Sequence, residues 1–193
     1  MYKLIMFDDD FIKQGVFTDI LSYSYTLDSI KYESAIDGTV QLEGIGYRFI
    51  VVDETVPDES ITKEQVMNFM KTAKIKELSD ECDKHILGGF IYNGDVFAFE
   101  LKDQIRFSQQ FSLIIYSMIT GEELNVIEWK TENNGVKEYS REEFLAVCKA
   151  GEEHDRTHIQ KFRQLESYIN NTVFEEMDEL RGINFDTEPE AVT

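Results

Sequence analysis

Cysteine is scarce in this chain of 193 residues, with Cys82 and Cys148 the only two. Both fall at apolar positions of expected helices, which points to buried free thiols rather than a disulfide, and to a reducing environment. Basic residues are also in deficit: 19 Lys plus Arg stand against 38 Asp plus Glu, a net charge of −19. That field repels a phosphate backbone and an anionic bilayer surface, so neither nucleic acid nor membrane is an expected partner. No apolar run approaches the roughly 18 residues of a membrane span. The N-terminal Met1–Phe7 runs straight into Asp8, Asp9 and Asp10, with no basic-then-apolar leader. The expectation is a soluble protein. A glycine-rich phosphate loop is lacking too, because Gly88-Gly89 closes an expected helix and Gly44-Ile45-Gly46 opens none.

Material for a core is present. Hydrophobic residues make up 42%, with 14 Phe and 9 Tyr, enough for one large domain or two small ones. Residues 1–58 read as a β-rich module. Tyr2–Phe7 is an aromatic and aliphatic run, Tyr23, Tyr25 and Leu27 alternate with polar residues, and Asp37-Gly38 supplies a hairpin turn. Asp53–Ser60, with Pro57 and its acidic residues, reads as a linker. Residues 59–182 read as helix, hairpin, helix, hairpin and long helix. Thr62 with Gln65 and Ser140 with Glu143 have capping-box spacing, and Asn93-Gly94 and Asn133-Asn134-Gly135 mark the two turns. The last helix is expected from Arg141 to about Leu180, about 60 Å at 1.5 Å per residue, longer than a small domain is wide. Its stripe Ile159, Phe162, Leu165, Ile169 and Val173 is therefore the candidate interface, homo-oligomeric if no part of the chain covers it. Residues 183–193 read as a mobile acidic tail. The fold class is α+β.

The order of motifs resembles a known domain. It runs from Gly88-Gly89-Phe90 through a hairpin at Tyr92 to Asp103-Gln104-Ile105 opening a helix. Glu128-Trp129-Lys130, an Asn-Asn-Gly turn and Ser140 to Leu145 then lead into a helix bearing His154 and His158. This resembles the uncharacterised domain at or near the C-terminus of tail-fibre and baseplate-associated proteins of tailed phages and prophages, over about residues 71–171. The resemblance implies a virion or prophage structural protein in the tail, made in the host bacterial cytoplasm, whose partners are other tail, baseplate or fibre proteins. It implies no catalytic activity and no active-site residues. Two other roles stand beside it: a fibre-assembly chaperone, which the composition fits equally, and a carbohydrate- or cation-binding module at the host-contacting tip, using the Tyr-rich strands or the early aspartates.

Several residues invite a chemical reading. Asp8, Asp9 and Asp10, with Asp19 and Asp28, would suit a hard cation but lack the spacing of a calcium loop. His154 and His158 share a helix face, as in zinc-binding helices, but no Glu follows the first histidine, and a third ligand would have to come from afar, from His85 for example. Cys148 and His154 face roughly opposite sides of a helix, and nothing electropositive surrounds Cys82 and His85. Tyr23, Tyr25, Tyr32, Phe90, Tyr92, Phe97 and Phe99 could stack on a sugar, although alternation in strands usually signals a core. Trp129 reads as a packing anchor. No nucleophile, base and stabiliser converge in the sequence, so the expectation is a non-enzyme with no metal and no cofactor.

Overall fold

The aromatic run at the N-terminus and the alternating tyrosines become neighbouring parts of one sheet. A computed structural model, which describes residues 1–189, contains β1 (Tyr2–Phe7), β2 (Lys13–Tyr25), β3 (Ser29–Ser34), β4 (Gly38–Glu43) and β5 (Arg48–Asp53). They pair antiparallel in the order β4-β3-β2-β1-β5. Tyr23 lies opposite Tyr32 and Tyr25 opposite Ile30, the cross-strand pairs that the alternation anticipates. Strand β2 shifts register against both neighbours, and Asp19 sits in that stretch at φ 60°. A bulged strand bends and twists more strongly, which suits a strand this long.

The segment read as a linker is tied down. It forms a short 3₁₀ turn at Asp58–Ser60, and the Asp58 carboxylate accepts hydrogen bonds from Lys3 Nζ at 2.5 Å and Lys13 Nζ at 2.8 Å. These bonds hold its carboxyl below the usual range, Lys13 contributing most.

Helix α1 (Lys63–Leu87) starts at the expected capping box: Gln65 Oε1 accepts the Thr62 amide at 2.8 Å, and Thr62 Oγ1 accepts the Gln65 amide at 3.2 Å. It ends at Gly88-Gly89, where Gly89 takes φ 89° and a Cβ would collide with the Phe97 carbonyl oxygen. Strands β6 (Phe90–Tyr92) and β7 (Asp95–Phe97) follow, joined by Asn93 and Gly94, both at positive φ. Helix α2 (Leu101–Thr120) closes on Gly121 at φ 74°. Strands β8 (Ile127–Thr131) and β9 (Gly135–Tyr139) lead into α3 (Arg141–Asn171), which opens on the second capping box.

The last helix is shorter than its sequence implied. It stops at Asn171 rather than near Leu180, and a separate short helix α4 (Met177–Gly182) follows. Two interactions end it. Lys71 Nζ donates to the Thr172 carbonyl at 2.7 Å, just past the helix, and to the helix carbonyl of Asn170 at 3.5 Å, and lies 5.5 Å from the centre of the Phe174 ring. Phe174, Met177, Leu180, Ile183 and Phe185 then turn inward and are buried. Ile183 and Phe185 fall in the stretch 183–193 that reads as a mobile tail from the sequence; residues 190–193 lie outside the described residues.

The chain divides into two compact units. One comprises Met1–Ser79 with the segment from Gln164 onward, and the other is Asp80–Arg163. In the first, Tyr25 stacks on Phe69 at 4.2 Å and Phe49 meets the same ring edge-on, so α1 covers one face of the sheet. The second is built round aromatic rings: Phe107 lies 4.3 Å from Trp129, which lies 5.0 Å from the fully buried Phe144.

Candidate interaction surface

The early aspartates shape loops and do not converge. Asp8 accepts the Ile12 amide at 2.8 Å and closes a turn in which Phe11 takes φ 61°. Asp28 pairs with Arg181 at 3.0 Å, and Asp19 accepts a hydrogen bond from its neighbour Thr18. Among the described residues, no group of three His, Cys, Asp or Glu side chains is arranged to hold a metal ion. The tyrosines of β2 and β3 belong to packing: Tyr32 is buried, and Tyr25 stacks on Phe69 and meets Phe49 edge-on.

All three histidines do come together, which the sequence did not disclose for His85. His85 stacks on His158 at 5.3 Å, and His154 meets His158 edge-on at 4.6 Å. His154 Nε2 lies 3.2 Å from the Ile86 carbonyl oxygen. Burial lowers the pKa of His158, and the charges of His154 and His85 lower it further. The thiols move the opposite way for nucleophiles. Burial pushes Cys148 up to about 11 and raises Cys82 as well, so both stay protonated at neutral pH.

A groove of about 640 Å³ opens beside Trp129, between the start of α2 and strand β8. Asp103, buried at its base, is 3.5 Å from Arg106 through Oδ1, while its Oδ2 has no hydrogen-bond partner. With Asp103, the lining carboxylates Glu100, Glu128 and Glu132 number four against the three cations Lys102, Arg106 and Lys130.

Helix α2 carries the most conspicuous surface. Phe107, Ile114 and Ser117 face inward, yet Leu101, Ile105, Leu113, Tyr116, Met118 and Ile119 are all more than half exposed. From Phe107 to Thr120 the helix contains no charged residue, in a chain where charged residues are 30%. Exposed apolar side chains gathered on one helix of an acidic protein make α2 the candidate interaction surface.

Residues 69–186 match the family described as Domain of unknown function (DUF4376). The chain belongs to that family. No curated protein and no solved structure is significantly similar to it. The DUF4376 match takes in α2, both small hairpins, the histidines and α3, and leaves strands β1–β5 outside it.

Within the DUF4376 domain, the stripe expected on the long helix does not survive as one surface. Leu165 and Ile169 are fully buried, Ile159 and Phe162 are half-buried, and Val173 is 81% exposed beyond the end of α3. The helix break at Thr172 removes Val173 from the helical repeat, and the chain's own core takes the two central residues. Among the described elements, α2 carries the most outward large apolar side chains instead. The signal in the sequence was the uncharged run from Phe107 to Thr120.

Proposed function

We propose that this protein is a non-enzymatic structural or adaptor component of a bacteriophage or prophage-derived tail, tail fibre or baseplate. It works through contacts with other tail proteins, after synthesis in the host bacterium. The observation that carries a contact-making role is the exposed, uncharged face of α2. The resemblance over residues 71–171 supplies the setting. The net charge of −19 favours solubility of the unassembled chain.

Mass spectrometry of tailed particles purified from the strain that encodes the chain tests the reading. A stoichiometric signal is expected. Absence from particles, together with binding to the nascent fibre protein, would replace it with an assembly chaperone. Absence of both would remove the tail setting altogether.

A further inference from the structure

We propose that α2 pairs with α2 of a second copy of this chain, antiparallel, about a two-fold axis level with Gln110. This deepens the contact-making reading of the same helix by naming its partner.

The pattern on the helix is self-complementary. Leu101, Ile105, Ser108, Ser112, Ile115 and Ile119 follow one another at steps of four, three, four, three and four, the seam of a heptad helix pair. All except the half-buried Ile115 are exposed. Leu101 and Ile119 are equally distant from Gln110, as are Ile105 and Ile115, and Ser108 and Ser112. An isologous antiparallel pair sets each residue opposite its counterpart, so large apolar side chains meet at both ends and serines meet in the middle. Small residues at the crossing let the axes approach closely. Ser112 Oγ already donates to the Ser108 carbonyl at 2.8 Å, so closing the seam does not strand that proton.

Charge argues for this face and for this orientation. Two copies of net charge −19 repel each other, and contact costs least where neither presents a charge, along Phe107–Thr120. Glu122 and Glu123 lie just past the helix C-terminus. A parallel pair would crowd four carboxylates together. The antiparallel pair carries each acidic end to the other helix's N-terminus, where the helix dipole is positive and where Lys102 and Arg106 sit, paired with Glu100 and Asp103. The helix is about 30 Å long at 1.5 Å per residue, so one seam is a small interface and implies micromolar association.

Sedimentation equilibrium of the full chain from about 1 to 300 µM should show monomer and dimer, with dissociation weakened by added salt as repulsion is screened. Ile105→Glu and Ile119→Glu replace exposed side chains. Each should raise the dissociation constant at least about tenfold with unchanged circular dichroism. Oxidation of mixed Leu101→Cys and Ile119→Cys chains should cross-link one variant to the other, while Leu101→Cys alone should not cross-link through that position, its two copies lying about 27 Å apart. A monomer throughout the range, a dimer indifferent to both glutamates, or Leu101→Cys cross-linking to itself would overturn the proposal. A monomer found in tail particles overturns the pairing and leaves the tail assignment standing; a dimer missing from particles does the reverse.

Discussion

Tyr139 donates its hydroxyl to the Asp95 carboxylate across 3.0 Å, joining β9 to β7 inside the second unit. Lys137 Nζ at 2.8 Å and Asn134 Nδ2 at 2.7 Å reach the same buried carboxylate. The hydrogen bond from Lys137, ahead of that from Asn134, holds the Asp95 carboxyl below its ordinary range, and burial followed by the Asp95 contact raises the Tyr139 hydroxyl. Tyr139→Phe should therefore lower the melting temperature, and Asp95→Asn should lower it further, because the second change weakens three contacts and the first removes one. Thermal unfolding at neutral pH checks the order; an Asp95→Asn protein as stable as wild type would discard this account of the junction.

His158 makes stability depend on pH. Its folded pKa lies below the ordinary 6.5, chiefly through burial, then through His154 and His85, with Asp155 opposing. The unfolded chain therefore takes up the proton first, and the stabilisation is complete above about pH 6.5 and declines as pH falls from there toward the folded value. Urea unfolding between about pH 8 and 5 should show the midpoint falling with acid. His158→Phe should flatten that slope; an unchanged slope would assign it elsewhere.

Gly89→Ala should destabilise by about 1–3 kcal/mol, the scale of a strained backbone position. Positive φ and the Phe97 carbonyl both oppose a Cβ there. Gly38→Ala is the control: it shares the positive φ but meets no atom within 4 Å, so it should cost less. Denaturant midpoints measured side by side decide it, and equal losses would mean that the collision plays no part.

Leu165→Ala should cost about 2–5 kcal/mol as a buried cavity, while Val173→Ala should stay within about 0.5 kcal/mol. Leu165 is fully buried and Val173 is 81% exposed. Comparable losses at both positions would restore the single stripe along one long helix.

The features legible in the sequence are those decided within a few residues. Both capping boxes and the Asn93-Gly94 turn form as read, because a side chain and an amide three positions apart, or two positive φ angles, need no distant partner. The end of α3 was not legible. Thr172 to Leu180 has nothing that forbids a helix, and the break is decided by Lys71 and by the burial of Phe174, about a hundred residues of chain away from that lysine. Asp58 looked like linker for the same reason, its two lysines lying far upstream. The His85 stack on His158 also depends on which faces α1 and α3 present to each other within the second unit. For α2 the composition was visible but its meaning was not, since an apolar helix can equally be buried on every side.

The sheet-bearing unit is discontinuous in the chain, needing Leu165, Ile169 and Phe174 as well as Met1–Ser79. During translation the strands emerge first and wait, their apolar face without its final covering, while the contiguous stretch Asp80–Arg163 is delivered whole. Released chains truncated after residue 163 should thus resist protease across Asp80–Arg163 and yield in the strands before it, which stay open to chaperone capture until the segment from Gln164 joins them.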